Sequence, residues 1–96
     1  MGFEWDPAKD EANREKHGLS FEEASRLFAI GVDYLEIYDE DHSEDEDRFI
    51  AVGFVERGVI VVSYTQRDDH VVRILSARRA TGPERKRFEA YLRGRR

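Results

Sequence analysis

The sequence predicts an α+β domain in which two N-terminal helices and one C-terminal helix pack on an antiparallel sheet of about four strands. Three observations carry that expectation. Ser20 with Glu23, and Thr81 with Glu84, have the spacing of capping boxes, in which side chain and backbone satisfy one another at a helix start. Between them, residues 48–78 are rich in β-branched side chains and broken only by short polar stretches. Finally, 96 residues divided in two would leave halves too small to bury separate cores without metals or disulfides, so residues 1–96 are read as one domain.

Residues 3–5 suit a short opening strand. Asp6 supplies a cap ahead of Pro7 at the first helical position, and Gly18 stops the helix over residues 8–17. Behind Ser20, the apolar residues Phe21, Ala24, Leu27 and Phe28 recur at helical spacing and give a second helix ending by Gly31. Residues 34–37 read as the first sheet strand, and seven acids within the nine residues 39–47 make the next stretch a loop. Three strands joined by hairpins follow, at residues 48–55, 59–65 and 71–78. Phe88, Tyr91 and Leu92 line one side of the closing helix, whose tail, residues 93–96, is basic. Trp5, Phe21 and Phe28 are read as core.

Pairing Val55 with Val59 and Thr65 with Val71 yields a register. It gives one large apolar face, including Ile50, Val52, Phe54, Ile60 and Val62, which is expected to carry all the helices. The opposite face, with Ala51, Ser63, Thr65, Ala77 and, near its middle, Arg73, is expected to be open and shallow. A bulge would exchange the faces of one strand.

Without cysteine, a disulfide frame, a thiolate metal site and a cysteine nucleophile are all excluded, and a reducing compartment fits. The N-terminal residues lack the pattern of a signal peptide, and the apolar run at 59–62 is far too short to span a bilayer, so a cytoplasmic protein without membrane contact is expected. The net charge of −5 conceals a segregation of signs. Residues 1–47 carry 16 acids against 4 bases, net −12, whereas residues 48–96 carry 12 bases against 5 acids, net +7. Eleven of those 12 bases are arginine, whose planar fork of donors matches phosphate. Such a half suits an RNA partner; mutual neutralisation of the two halves across the fold is the other reading.

The acidic tract does not read as a metal site. Asp39, Asp41 and Ser43 fit the first positions of a calcium loop, but Glu44 stands where glycine is needed and Ile50 where glutamate is needed. No metal or other cofactor is therefore expected, and the tract is read as a solvated or docking segment. A hydrolase triad has little support, because no Gly-x-Ser-x-Gly elbow exists and His17, His42 and His70 fall at helix ends or in loops. Most informative is the run from Arg73 to Thr81, which sends Arg73, Arg78 and Arg79 from the last strand toward the last helix. RNA can be cleaved without a metal when its 2′-hydroxyl attacks the adjacent phosphate, provided cations stabilise the added charge and a side chain moves protons. The arginines suit the first task, helped by helix-start amides near Gly82, and His17 suits the second. The structural alternatives are salt bridges from Arg78 and Arg79 to the acidic loop, and a histidine that merely meets free carbonyls at a helix end.

Several pieces then fall together. Phe3-Glu4-Trp5-Asp6, Lys9, Asn13, Lys16-His17-Gly18 and Phe21-Glu22-Glu23-Ala24 come first, then Asp41-His42-Ser43 and Glu46-Asp47-Arg48, then residues 74–80, Glu84-Arg85 and Tyr91. In that order and spacing the chain closely resembles the BrnT toxin family, from about residue 3 to residue 91. The resemblance implies a RelE-like fold, a ribonuclease that inhibits translation, and a BrnA-like antitoxin that neutralises it, through which it would meet operator DNA as a corepressor. The resemblance implies basic residues and a tyrosine acting on the open sheet face and near the chain end: Arg73 fits by face, Arg78, Arg79 and Tyr91 match the family's terminal motif and His17 its first-helix motif, and these five are the candidate catalytic residues. Lys16, Arg48, Arg67 and Arg85 are candidate contacts to RNA, free or on the ribosome. The rival functions are a non-catalytic module that binds RNA or protein through the same arginines, and a metal nuclease built on the acidic loop.

Overall fold

A computed structural model of the chain describes residues 2–29, 31 and 33–94. Arg95 and Arg96, half of the expected basic tail, lie outside these. The order is β1 (Gly2–Glu4), α1 (Pro7–His17), α2 (Phe21–Ser25) with a 3₁₀ turn at Arg26–Phe28, β2 (Tyr34–Tyr38), β3 (Arg48–Val55), β4 (Gly58–Asp68), β5 (Val71–Arg79) and α3 (Gly82–Arg93). The α+β class is as expected. The helix starts also follow their caps: Asp6 accepts from the Ala8 amide, and both capping boxes are formed. Gly18 closes α1 in the left-handed region at φ 70°, where a side chain would be strained.

The sheet has five strands in the order β1-β5-β4-β3-β2 and is mixed, because the opening strand runs parallel to β5. Helices cover both faces, not one. α1, α2 and the 3₁₀ turn cover the first face, where Leu19, Phe21, Leu27 and Phe28 pack on Ala51, Ile60, Val62, Tyr64, Val72 and Ile74. On the second face α3 lays Phe88, Tyr91 and Leu92 against Val52, Val61, Leu35 and Ile50.

Three register differences from the sequence expectation appear. Thr65 pairs with Arg73 rather than Val71, a two-residue shift that keeps the faces, because β4 runs on to Asp68 before the turn. The other two change which face is presented. Val55 pairs with Gly58 rather than Val59, so the β3–β4 loop has only two residues, Glu56 and Arg57. Gly58, at φ 117°, accommodates the tight reversal. This one-residue slip turns all of β3 over, so Phe49, Ala51 and Val55 face α1 and α2 while Ile50, Val52 and Phe54 face α3. In β5, Tyr64 pairs with Ile74 but Ser63 pairs with Ser76, leaving Leu75 as the extra residue of a bulge. The bulge sends Ala77 into the first core and puts Ser76 and Arg78 on the second face. For β4 and the start of β5 the expected faces hold, including Arg73 on the second.

Candidate functional site

α3 spans only part of the second face. At the end it leaves open, Arg48 of β3, Thr65 of β4 and Arg73 of β5 stand side by side in register, with Glu4 of β1 next in the row. Ser63 and Ser76 form the neighbouring row. Thr65 is 1% exposed, and its Oγ1 is buried with no hydrogen-bond partner among the described residues. An unpaired buried hydroxyl costs on the order of 1–3 kcal/mol, so a small polar position is held between two guanidinium-bearing neighbours against a stability cost.

Carboxylates already balance part of this charge. Glu4 lies 3.4 Å from Arg73 and 3.3 Å from Arg67, and Arg67 also reaches Glu46 of the acidic loop at 3.8 Å. The expected loop-to-arginine contact therefore exists, but Arg67 makes it. Arg78 instead forms a fork of two 2.8 Å bonds to Glu84, the capping residue of α3. That pairing, with the amide of Thr81, holds the Glu84 carboxyl down to about 2 and raises Arg78 in turn.

The sequence candidates fall into two groups. Arg48, Arg73, Arg78 and Tyr91 share the second face, with Arg67 beside them through Glu4. Tyr91 stacks on Phe88, ring centroids 6.5 Å apart, and packs beside Val52 and Val61. Arg79, Arg85, Lys16 and His17 are elsewhere. Arg79 pairs with Ile60 at the far end of β5, and Arg79 and Arg85 line a groove at the β3–β4 turn. Exposed Lys16 and half-buried His17 end α1, whose terminal Gly18 carbonyl accepts from Arg57, another residue of that groove. Hence Arg73, Arg78 and Arg79 do not converge on one phosphate, and His17 lies away from Arg73.

The start of α3 also adds less than expected. Thr81 and Glu84 amides are taken by the capping box and Pro83 has none, while the Glu84 carboxylate brings negative charge. Tyr64 points to the helices of the first face. It is buried, donates to Glu36, and its hydroxyl is pushed up by burial first and then by that carboxylate. Among the described residues no group of three or more His, Asp or Glu side chains could hold a metal ion. No helix there is long and apolar enough to cross a membrane. Thr65 entered the sequence reading only as one residue of the open sheet face, and the roles of Phe54 and Arg57 escaped it because both depended on the hairpin register. The glycine at 58, read as a partner for Val55, would have exposed both.

Against known proteins, a family model described as the ribonuclease toxin BrnT of type II toxin-antitoxin systems matches residues 5–84. Among solved structures, the 1.1 Å crystal structure of the ribonuclease toxin BrnT from Brucella abortus superimposes with a TM-score of 0.63 at 24% identity. That likeness covers 84% of this chain and 97% of the other and shows a shared fold. A comparison with curated proteins returned no match.

Proposed function

Because the chain belongs to the BrnT family of ribonuclease toxins of type II toxin-antitoxin systems, we propose that it cleaves RNA on the open end of its second sheet face, without a metal ion. The row Arg48–Thr65–Arg73 carries this reading, since it sets two guanidiniums on either side of a buried, unpaired hydroxyl. In the proposed reaction a ribose 2′-hydroxyl attacks its own 3′-phosphorus. The bond to the next 5′-oxygen breaks, leaving a 2′,3′-cyclic phosphate and a 5′-hydroxyl. Arg48 and Arg73 hold the phosphate and stabilise the charge that grows on its oxygens. Tyr91 is the candidate of the same face for moving a proton, and the Glu84 fork makes Arg78 a positioned rather than a free cation. His17, at the other site, serves RNA binding together with Lys16.

The expected cellular outcome is inhibition of translation in the cytoplasm, reversed by a BrnA-like antitoxin that also brings the pair to operator DNA. Arg73→Ala tests the assignment. With purified protein, end-labelled RNA and chelator present, cleavage should fall at least about 100-fold, in the range for losing one charge-stabilising donor. Growth arrest on expression should also be lost. Full cleavage by an Arg48→Ala, Arg73→Ala double variant would remove the site from this face, and loss of the parent's activity in chelator would end the metal-free reading. One observation favours a purely binding role: Arg67 and Arg73 already have carboxylate partners in Glu4 and Glu46. RNA left intact by a large excess of parent protein would establish that reading instead.

A further inference from the structure

The groove at the β3–β4 turn is a different kind of place. It encloses about 300 Å³ between that turn and the start of α3, with Arg57, Arg79 and Arg85 around it and Phe54, Val59 and Ala80 as its apolar wall. Among the described residues, neither Arg79 nor Arg85 has a carboxylate within ion-pair distance. Arg57 has one, Glu23 at 3.5 Å. Three guanidiniums thus share a single acid, in contrast to the arginines near Glu4. Phe54 is 51% exposed, and Phe88 meets it edge to face at 5.3 Å and 71°. Packing fixes the ring while half its surface faces solvent. A fixed, half-exposed ring flanked by cations suits a nucleotide, which has a base to stack on the ring and a phosphate for the guanidiniums.

We infer that this groove binds a nucleotide of single-stranded RNA, its base on Phe54 and its flanking phosphates on Arg85 and, over the end of the sheet, on Arg57 and Arg79, whose guanidiniums lie toward the first face. The inference rests on the RNA-cleaving reading and adds a second contact to it. From Val59 at the groove to Thr65 in the arginine row is six residues along β4, roughly 20 Å at strand rise. A strand held in the groove therefore reaches the row only when extended along the second face. The groove positions substrate and selects single strands, and a duplex would bury the base that Phe54 requires.

The test uses the whole protein and a fluorescent single-stranded oligonucleotide with 2′-O-methyl riboses, which cannot undergo attack by the 2′-oxygen. Binding is followed by anisotropy across a salt series, with thermal melts confirming that each variant is folded. Phe54→Leu, which keeps an apolar contact for Phe88, should weaken binding about tenfold, and Phe54→Trp should restore it. An Arg57→Ala, Arg85→Ala double variant should bind more weakly, with a log–log salt slope shallower by roughly 1.4, the value for two lost contacts to single-stranded phosphates. Parent-like affinity in Phe54→Leu and in the double variant would overturn the inference, as would a loss confined to binding of an acidic antitoxin segment. Cleavage of unmodified RNA by the parent is measured in parallel. If the parent cleaves nothing while groove variants still bind the oligonucleotide poorly, the groove stands and the ribonuclease reading falls.

Discussion

Beyond Arg73, where β1 has ended, the open edge of β5 is met by one side chain. The Asn13 amide donates to the carbonyls of Ala77 and Leu19 at 2.8 and 2.9 Å and accepts from the Ala77 amide at 3.1 Å, so it presents to β5 what a neighbouring strand would. Asn13→Ala strips buried backbone groups of their partners, and urea unfolding should show a loss of roughly 3 kcal/mol. Asn13→Asp should fare little better, since a carboxylate accepts from Ala77 but faces two carbonyls without a donor. A loss below about 1 kcal/mol would mean that water takes over these bonds. Gly53 is a steric case: an added Cβ would stand 3.0 Å from the Cβ of Tyr34 and 3.1 Å from Cγ of Leu27. Gly53→Ala should therefore cost about 1–3 kcal/mol by overpacking, read from the same unfolding curves. Neither role shows in local sequence. Asn13 acts across 64 residues, and the crowding at Gly53 depends on a register that one glycine decides.

Among the elements, α3 was the easiest to anticipate and the easiest to underestimate. Its capping box is spelled out by Thr81 and Glu84, yet the second bond set of Glu84, to Arg78, needs the β5 bulge that turns Arg78 toward the helix. That bond gives a pH dependence. With the Glu84 carboxyl depressed from 4.5 to about 2, the folded state gains from ionised Glu84 above 4.5 and loses that gain as pH falls through 2. Melting temperatures between pH 5 and pH 2 should fall less steeply for Glu84→Gln than for the parent. Equal slopes would show that the Arg78 fork adds nothing. Strand identity was legible because β-branched residues and turn residues alternate along the chain. Facing was legible only up to the first irregularity, since each one-residue slip reverses everything beyond it.

For the molecule as a whole, the segregated charges meet across the sheet. The acidic first half supplies Glu4, Glu23 and Glu46 to arginines of the basic second half, which neutralises Arg73 and Arg67 beside the row and leaves the groove with one acid for three arginines among the described residues. Glu4→Gln should release Arg73, leave Arg67 with Glu46 alone, and tighten RNA binding at low salt; unchanged affinity would mean that the row does not touch the ligand. Composition revealed that a basic surface exists. It could not reveal that there are two, because their separation is set by where α3 lies. The parallel pairing of the first strand has a bearing on timing. Gly2 to Glu4 find their partners only at Val71 to Arg73, and Asn13 finds Ala77, so a chain emerging from the ribosome N-terminus first has no complete sheet until its fifth strand is made. The row around Thr65 also needs Arg73, and the groove needs Arg79 and Arg85. On the RNA-cleaving reading proposed above, a growing chain therefore lacks both the arginine row and the groove until β5 and the start of α3 have been made.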